Sequence, residues 1–156
     1  MLDGLQRNID YLRVSVTDRC NLRCIYCMPE NGVECLSHAD ILRYEEILRL
    51  ARIFAGLGVK KIRLTGGEPL VRRGLADLVA GLTAIDGIEQ VTLTTNGVLL
   101  AEQLPGLMAA GLGGVNVSLD TTNEDTFRRL TRREGVGRVL AAIDASLAAG
   151  LPAKVN

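Results

Sequence analysis

The segment DYLRVSVTDRCNLRCIYCMPENG, residues 10–32, joins two different kinds of sequence. Residues 10–17 alternate apolar and polar side chains around β-branched residues, which predicts a β-strand. The remainder holds Cys20, Cys24 and Cys27, three of the four cysteines in the chain, with the spacing C-x3-C-x2-C. The sequence therefore predicts a strand that is followed at once by a loop rich in thiols.

Predicted helices and strands alternate along the rest of the chain. The helical periodicities cover 44–57, 75–84, 99–110 and 136–149, and short β-branched runs predict strands at 60–65, 91–95, 114–119 and from 154 onward. We expect Ser37 and Asp40 to form a capping box before the first helix, Gly58 to end it, and Pro105 to restart the third. Repeated β–α units favour a parallel sheet with right-handed crossovers, so the predicted fold class is α/β.

Polar and glycine-rich segments follow the predicted strand ends. The second strand is followed by GGEPL (66–70), the third ends in TTNG (94–97), and the fourth ends near Ser118 and Asp120, while Lys154 lies on the fifth. The carboxyl ends of parallel strands meet at one rim, where α/β proteins place their sites. We therefore expect these segments and the cysteines to share one site.

Composition excludes several classes of function. The 156 residues are 47% hydrophobic and 23% charged with a formal net charge of +0, which is typical of a globular chain. No basic field favours nucleic acid, no polybasic run favours a membrane, and no apolar run approaches the roughly 18 residues of a membrane-spanning helix. The first ten residues lack a signal core, so a cytoplasmic location is the default expectation. Thiols stay reduced there, which favours metal binding or catalysis over a disulfide.

Three explanations of the cysteine cluster stay open on these grounds. A structural zinc site needs four ligands, and only Cys35 and His38 lie near enough in sequence to complete one. Three thiolates without a fourth suit a four-iron cluster that keeps one iron open. The third explanation is that the three cysteines are small buried apolar residues of the core. Cys35 fits neither cysteine spacing and is interpreted as an incidental loop cysteine.

The cysteine spacing, together with GGEPL after the next strand, resembles the radical S-adenosylmethionine (radical SAM) enzymes. This resemblance implies a partial, TIM-like (β/α) barrel that is truncated after about four βα units and the start of a fifth strand. It implies that Cys20, Cys24 and Cys27 are the metal ligands of a catalytic [4Fe-4S] cluster. In such enzymes S-adenosylmethionine chelates the open iron and is cleaved to a 5′-deoxyadenosyl radical.

The flanking segments narrow the resemblance. RVSVTDRCNLRCIYCMPENG, RLTGGEPLVR, LTTNG and NVSLD resemble, in that order, the MoaA family of GTP 3′,8-cyclases, lyases that convert GTP to 3′,8-cyclo-7,8-dihydro-GTP in molybdenum cofactor biosynthesis. The resemblance implies that Tyr26, Gly67 and Ser118 contact S-adenosylmethionine. It also implies that GTP is bound by Arg13, Arg63, Thr94 and Lys154. Arginine and lysine suit a polyanionic triphosphate.

The same resemblance carries expectations about partners and extent. It implies GTP as substrate, an electron donor of the flavodoxin type, a possible homodimer, and neither nucleic acid nor membrane as a partner. Members of that family are about twice as long and carry a second [4Fe-4S] cluster in their C-terminal part. We therefore expect 1–156 to be the N-terminal part of a single radical SAM core domain, and not to be active alone.

Alternatives and secondary residues complete the set of expectations. The chain could instead be part of another radical SAM enzyme, such as a peptide-modifying one, or a non-catalytic zinc-binding module. Glu68 is expected to orient its loop or contact the cofactor, and Asn96 to tie two loops together. RRLTRREG (128–135) is interpreted as a solvated loop.

Overall fold

Five parallel strands form one sheet in the computed structural model, which describes residues 4–37 and 39–156. His38, considered above as a zinc ligand, lies outside the described residues. The strands are neighbours in chain order: β1 Tyr11–Ser15, β2 Lys61–Thr65, β3 Gln90–Thr95, β4 Val115–Val117 and β5 Ala153–Val155. The predicted α/β class and parallel sheet are confirmed.

Helices connect the successive strands. They are α1 Tyr44–Gly56, α2 Leu75–Thr83, α3 Leu100–Ala109, α4 Glu124–Thr131 and α5 Val136–Ala148, with a 3-10 turn at Pro69–Val71. Because each crossover moves one strand further in the same direction, and crossovers are right-handed, the helices are expected on one face of the sheet. This is the arrangement of a partial (β/α) barrel rather than of a doubly wound sheet, as expected.

The two faces of the sheet differ in polarity. Ile62, Leu64 and Leu93 have no exposed surface and form the core with the helices. The residues that alternate with them, such as Arg63 and Thr92, are polar and half-buried. The face that lines the interior of a (β/α) barrel is thus hydrophilic, and it offers polar groups to a ligand.

Within the described residues, no helix combines the length and the apolar character needed to cross a bilayer.

Helix α1 ends as predicted but begins differently. Gly58 has φ +97°, and its N–H donates to the Ala55 carbonyl at 2.9 Å. The predicted capping box is wrong, because the Ser37 hydroxyl donates to Asp40 at 2.6 Å before the helix begins. The Glu46 carboxylate instead accepts from the Arg43 N–H at 2.7 Å, which satisfies a free donor at the true start.

Pro105 lies inside α3, so the predicted restart is wrong. The helix runs through it from Leu100 to Ala109. Leu104 and Leu107 are 5% and 0% exposed in the core. Their burial offsets the backbone hydrogen bond that proline cannot donate.

The segment predicted as a solvated loop at 128–135 begins within α4. Asn123 caps this helix, since its side chain accepts from the Thr126 N–H at 2.9 Å. Glu124 and Asp125 in the first turn complement the helix dipole. The sequence carries these helix start signals, but the four arginines that follow favoured the interpretation as a solvated loop. That interpretation is wrong for residues 128–131, which are helical.

Candidate active site

A cavity of about 310 Å³ opens on the polar face, beyond the carboxyl ends of the first four strands. Eight of the ten residues predicted for the site line it. They are Arg13, Cys20, Cys24, Tyr26, Cys27, Gly67, Thr94 and Ser118. Loops that are far apart in sequence therefore meet at one rim, as the predicted topology requires.

The other two predicted residues, Arg63 and Lys154, do not line the cavity, but pairing within the sheet connects them to residues that do. Arg63 pairs with Arg13 of β1, and its Nε donates to the Thr92 hydroxyl at 3.3 Å. Asn116 of β4 pairs with both Thr94 and Lys154. The four residues predicted for GTP thus stand in two adjacent rows, with Arg13 and Arg63 side by side and Lys154 on β5, at the opposite edge of the sheet from β1.

Cys24 and Cys27 lie on one short turn, and Cys20 precedes it. The Cys24 carbonyl accepts hydrogen bonds from the N–H groups of Cys27 (2.9 Å) and Met28 (3.1 Å). Cys20 and Cys24 are half-buried and Cys27 is exposed. Burial is the main cause that raises the pKa of the Cys20 and Cys24 thiols, and the neighbouring cysteines raise that of Cys24 further. Several thiolates in this turn would repel one another unless a cationic group bound them.

The end of α4 holds in place the segment after β1 that carries the three thiols, residues 16–32, which is called the cysteine loop below. The N–H groups of Arg23 and Ile25 each donate at 2.9 Å, to the carbonyls of Thr131 and Leu130. Arg132 reaches from beyond the helix to donate to the carbonyls of Arg23 (3.0 Å) and Met28 (3.1 Å). Sequence reasoning missed this anchor because α4 itself was missed.

The glycine pair after β2 lets two backbones approach closely. The N–H groups of Gly67 and Glu68 each donate at 2.7 Å to carbonyls of the cysteine loop, those of Thr17 and Arg19. A Cβ atom on Gly67 would lie 2.3 Å from the Arg19 oxygen. The structure gives Gly67 a role in packing the two loops, whereas its predicted contact with S-adenosylmethionine stays a prediction.

Glu68 is a buried carboxylate at the centre of the loops. It is only 1% exposed. It accepts hydrogen bonds from the Leu70 N–H (3.0 Å), the Thr95 hydroxyl (2.8 Å) and the Asn96 N–H (2.7 Å). Burial raises the pKa of Glu68, while these three donors act in the opposite direction. Glu68 orients its loop, as expected, by joining the ends of β2 and β3.

Asn96 extends this connection to the cysteines. Its Nδ2 donates to the Asn21 side chain at 2.7 Å and lies 3.9 Å from the Cys20 Sγ. Its Oδ1 accepts from the Val98 N–H at 3.1 Å, which fixes the orientation of the amide. The prediction that Asn96 ties two loops together is confirmed.

Tyr26 connects the cysteine loop to the end of β4. Its hydroxyl donates to the Asp120 carboxylate at 2.5 Å. This hydrogen bond, followed by burial, raises the pKa of Tyr26, because a phenolate beside Asp120 would lose the bond and be repelled. Tyr26 is nonetheless 62% exposed, so part of its ring is free to contact a ligand.

The fold and the site together define a protein with a partial (β/α) barrel and three cysteines in the loop after the first strand. Residues 14–156 match the family model described as the radical SAM superfamily. The chain belongs to the radical SAM superfamily.

Curated relatives indicate a narrower group within this superfamily. The whole chain is 52% identical to the GTP 3′,8-cyclase of Petrotoga mobilis, of which it covers 49%. It is 51% identical to molybdenum cofactor biosynthesis protein 1 of Drosophila melanogaster, of which it covers 28%. The chain thus spans about half the length of the first of these curated relatives, and less of the second.

A solved structure agrees on the fold. SuiB of Streptococcus suis, bound to S-adenosylmethionine, matches 94% of this chain and 33% of that chain, with a TM-score of 0.79. Its sequence identity is 20%, so the likeness shows the fold alone.

Membership in this superfamily implies a [4Fe-4S] cluster and S-adenosylmethionine as cofactors, and the donor set fits them. Three thiols border one cavity, and Cys35 is not among its lining residues. No three histidine, cysteine or acidic side chains between residues 4 and 37 or 39 and 156 converge on a point where one metal ion could bind. A four-iron cluster does not need such convergence, because each thiolate ligates a different iron.

Proposed function

We propose that this chain is the part of a GTP 3′,8-cyclase that binds the cluster and S-adenosylmethionine, and that it serves molybdenum cofactor biosynthesis. The observation that carries the proposal is the single cavity that gathers the three thiols, Tyr26, Gly67 and Ser118 beside Arg13 and Thr94. The relatives named above, at 51–52% identity over the whole chain, support the choice of reaction.

The cofactors would be held by the loops just described. Cys20, Cys24 and Cys27 would ligate the cluster, and Tyr26, Gly67 and Ser118 would surround S-adenosylmethionine. When bound, these cofactors supply one-electron chemistry that removes a hydrogen atom from the substrate. The chain's own contribution is to position the groups and to limit the access of water, because such chemistry needs no general base.

GTP would lie on the polar face of the sheet. Arg13 and Arg63 stand side by side in register, and Lys154 lies in the neighbouring row. Guanidinium groups can bind phosphate oxygens through two hydrogen bonds each, and lysine acts as a point charge. Arg13 and Arg63 therefore suit the triphosphate, Lys154 offers a separate positive charge from the opposite edge strand β5, and Thr94 offers a hydroxyl to a polar group of the nucleoside.

Replacing Arg13 or Lys154 with alanine should weaken GTP binding by roughly 10–100-fold. A charge-assisted hydrogen bond contributes about 1.5–3 kcal/mol, and 1.4 kcal/mol is a factor of ten in affinity. Calorimetric titration of the reconstituted protein with GTP measures the change. The control is Arg52→Ala, an exposed arginine on α1. Equal affinities for GTP in all variants would contradict this placement and favour another substrate, such as a peptide.

The proposed reaction is tested by separating cofactor cleavage from cyclisation. After anaerobic reconstitution and reduction, we expect residues 1–156 to release 5′-deoxyadenosine from S-adenosylmethionine without steady formation of the cyclised nucleotide. The Petrotoga mobilis cyclase is about twice as long as this chain, so its second half is expected to complete the substrate site. Sustained formation of the cyclised nucleotide by this chain alone would show that the half-length expectation is wrong.

A further inference from the structure

A second cavity, of about 700 Å³, lies beside the cysteine loop and shares no lining residue with the site above. Half of its lining residues are arginines and none is acidic. The residues of this arginine groove are Val16, Thr17, Arg19, Ile41, Arg43, Val71, Arg72 and Arg73. Because the whole chain has a formal net charge of +0, the groove is a local concentration of positive charge.

Arg72 builds the wall of the groove. Its guanidinium donates to the carbonyls of Val16 (2.5 Å) and Leu42 (2.8 Å). It also stacks over the Tyr44 ring, 4.2 Å from the centroid. Arg72 thereby joins the end of β1 to the segment before α1.

The other three arginines of the groove have exposed side chains. The Arg43 side chain is 75% exposed, and its ion pair with Glu46, at 3.5 Å, is a surface pair of small energy. Arg19 and Arg73 are exposed as well. Exposed cations spread around a groove suit the acidic surface of another protein, because complementary potentials steer two proteins together.

The groove adjoins the segment that carries the cysteines, because Val16, Thr17 and Arg19 line it. Arg19 directly precedes Cys20, and these two residues also line a third cavity, of about 340 Å³. Two exposed leucines lie next to the groove. Leu42 precedes Arg43 and is 48% exposed, and Leu36, 55% exposed, donates its N–H to the Asp18 side chain. Apolar residues beside arginines are common in protein–protein interfaces.

We propose that the arginine groove docks the acidic face of the protein that donates the electron. This inference rests on the proposed function, since that chemistry consumes one electron that the chain itself cannot supply. In the step, one electron passes from the reduced donor to the cluster, and no atom is transferred. Docking here would bring the donor next to Cys20 without blocking the cavity for S-adenosylmethionine.

The experiment compares two reductants on one charge-reversal variant. Arg43→Glu/Arg73→Glu is mixed anaerobically, after reconstitution, with a reduced acidic flavodoxin or with dithionite. Stopped-flow spectroscopy follows reduction of the cluster, and titration measures binding of the flavodoxin. Arg52→Glu is the matched control, because it lies on α1 nine residues beyond Arg43, roughly 13 Å along the helix axis.

We expect the double variant to react with flavodoxin at least about tenfold more slowly at low ionic strength, with correspondingly weaker binding. The difference should shrink in high salt, which screens exposed charges. Dithionite, a small anion that needs no docking surface, should reduce the variant and the unmodified protein at equal rates in high salt, and should lose far less rate than flavodoxin at low ionic strength. Arg52→Glu should behave like the unmodified protein with both reductants.

Several outcomes would overturn the proposal. Unchanged flavodoxin rates, an equal loss in Arg52→Glu, or an equal loss with dithionite would each show that the groove is not the docking surface. Tight binding of inorganic pyrophosphate at the groove, without any effect of the variant on flavodoxin, would show a small-anion site instead. If dithionite itself yields no reduced cluster in the unmodified protein, the proposed function fails, and the docking inference fails with it.

Discussion

Replacing Glu68 with alanine is expected to lower the free energy of unfolding by about 3–5 kcal/mol, the cost of leaving buried partners unpaired. The carboxylate accepts three hydrogen bonds, from Leu70, Thr95 and Asn96, and is 1% exposed. Its removal would leave three donors without a partner in the interior. Chemical denaturation of the apo protein measures the loss.

Glu68→Gln tests a single one of these hydrogen bonds, the one from the Asn96 N–H. Its carbonyl oxygen can keep the bonds to Leu70 and Thr95, but its amide NH2 would then face the N–H of Asn96. We expect a loss of about 1–3 kcal/mol, the range for one unsatisfied buried donor. Because Asn96 contacts Asn21 and lies near Cys20, the variant should also retain less iron after desalting.

The matched control is Glu89→Ala. Glu89 forms an exposed ion pair with Lys60, at 2.7 Å, and its side chain is 57% exposed. Such exposed pairs contribute little to stability, because solvent screens them. If Glu68→Ala were no more destabilising than Glu89→Ala, the buried carboxylate would not join the loops as described.

Replacing Gly67 with alanine should displace the cysteine loop. The added Cβ would lie 2.3 Å from the Arg19 oxygen and 2.6 Å from the Asp18 oxygen, both of them backbone atoms that cannot rotate away. We expect a loss of stability of about 3 kcal/mol or more, at the upper end for overpacking, and a several-fold loss of bound iron per chain. Thermal denaturation and iron analysis measure the two effects.

Gly137→Ala is the control for this substitution. Gly137 lies in the first turn of α5, and a Cβ there would meet nothing within 4 Å. Alanine favours a helix over glycine, so we expect stability to be unchanged or to rise by up to about 1 kcal/mol. Normal iron retention in Gly67→Ala would mean that the close approach of the two loops is not needed to hold the cluster.

The periodicity of apolar residues and the positions of glycines were sufficient to predict most of the helices and strands and their order in the sheet. The helix at 44–57 and its glycine stop, the parallel order, and the meeting of GGEPL with the cysteine loop follow from periodicity and crossover rules. Family resemblance supplied residues such as Arg13 and Ser118, because a single charged or hydroxyl residue on a strand carries no functional signal of its own.

The supports of the site were harder to predict. Arg132 anchors the cysteine loop across 109 residues of sequence, and no local pattern records such a contact. Glu68 was placed in the right loop, but its three partners depend on how β2 and β3 end beside each other. The same holds for Tyr26 and Asp120, which are 94 residues apart. These interactions are set by tertiary packing rather than by local propensity.

The most direct test of the central claim is the electron paramagnetic resonance spectrum of the chain, reconstituted anaerobically with iron and sulfide and then reduced, with and without S-adenosylmethionine. The account predicts about four irons per chain and a four-iron signal that changes when S-adenosylmethionine is added, because Cys20, Cys24 and Cys27 leave one iron open. Zinc in place of iron, or a cluster signal that S-adenosylmethionine does not alter, would contradict it.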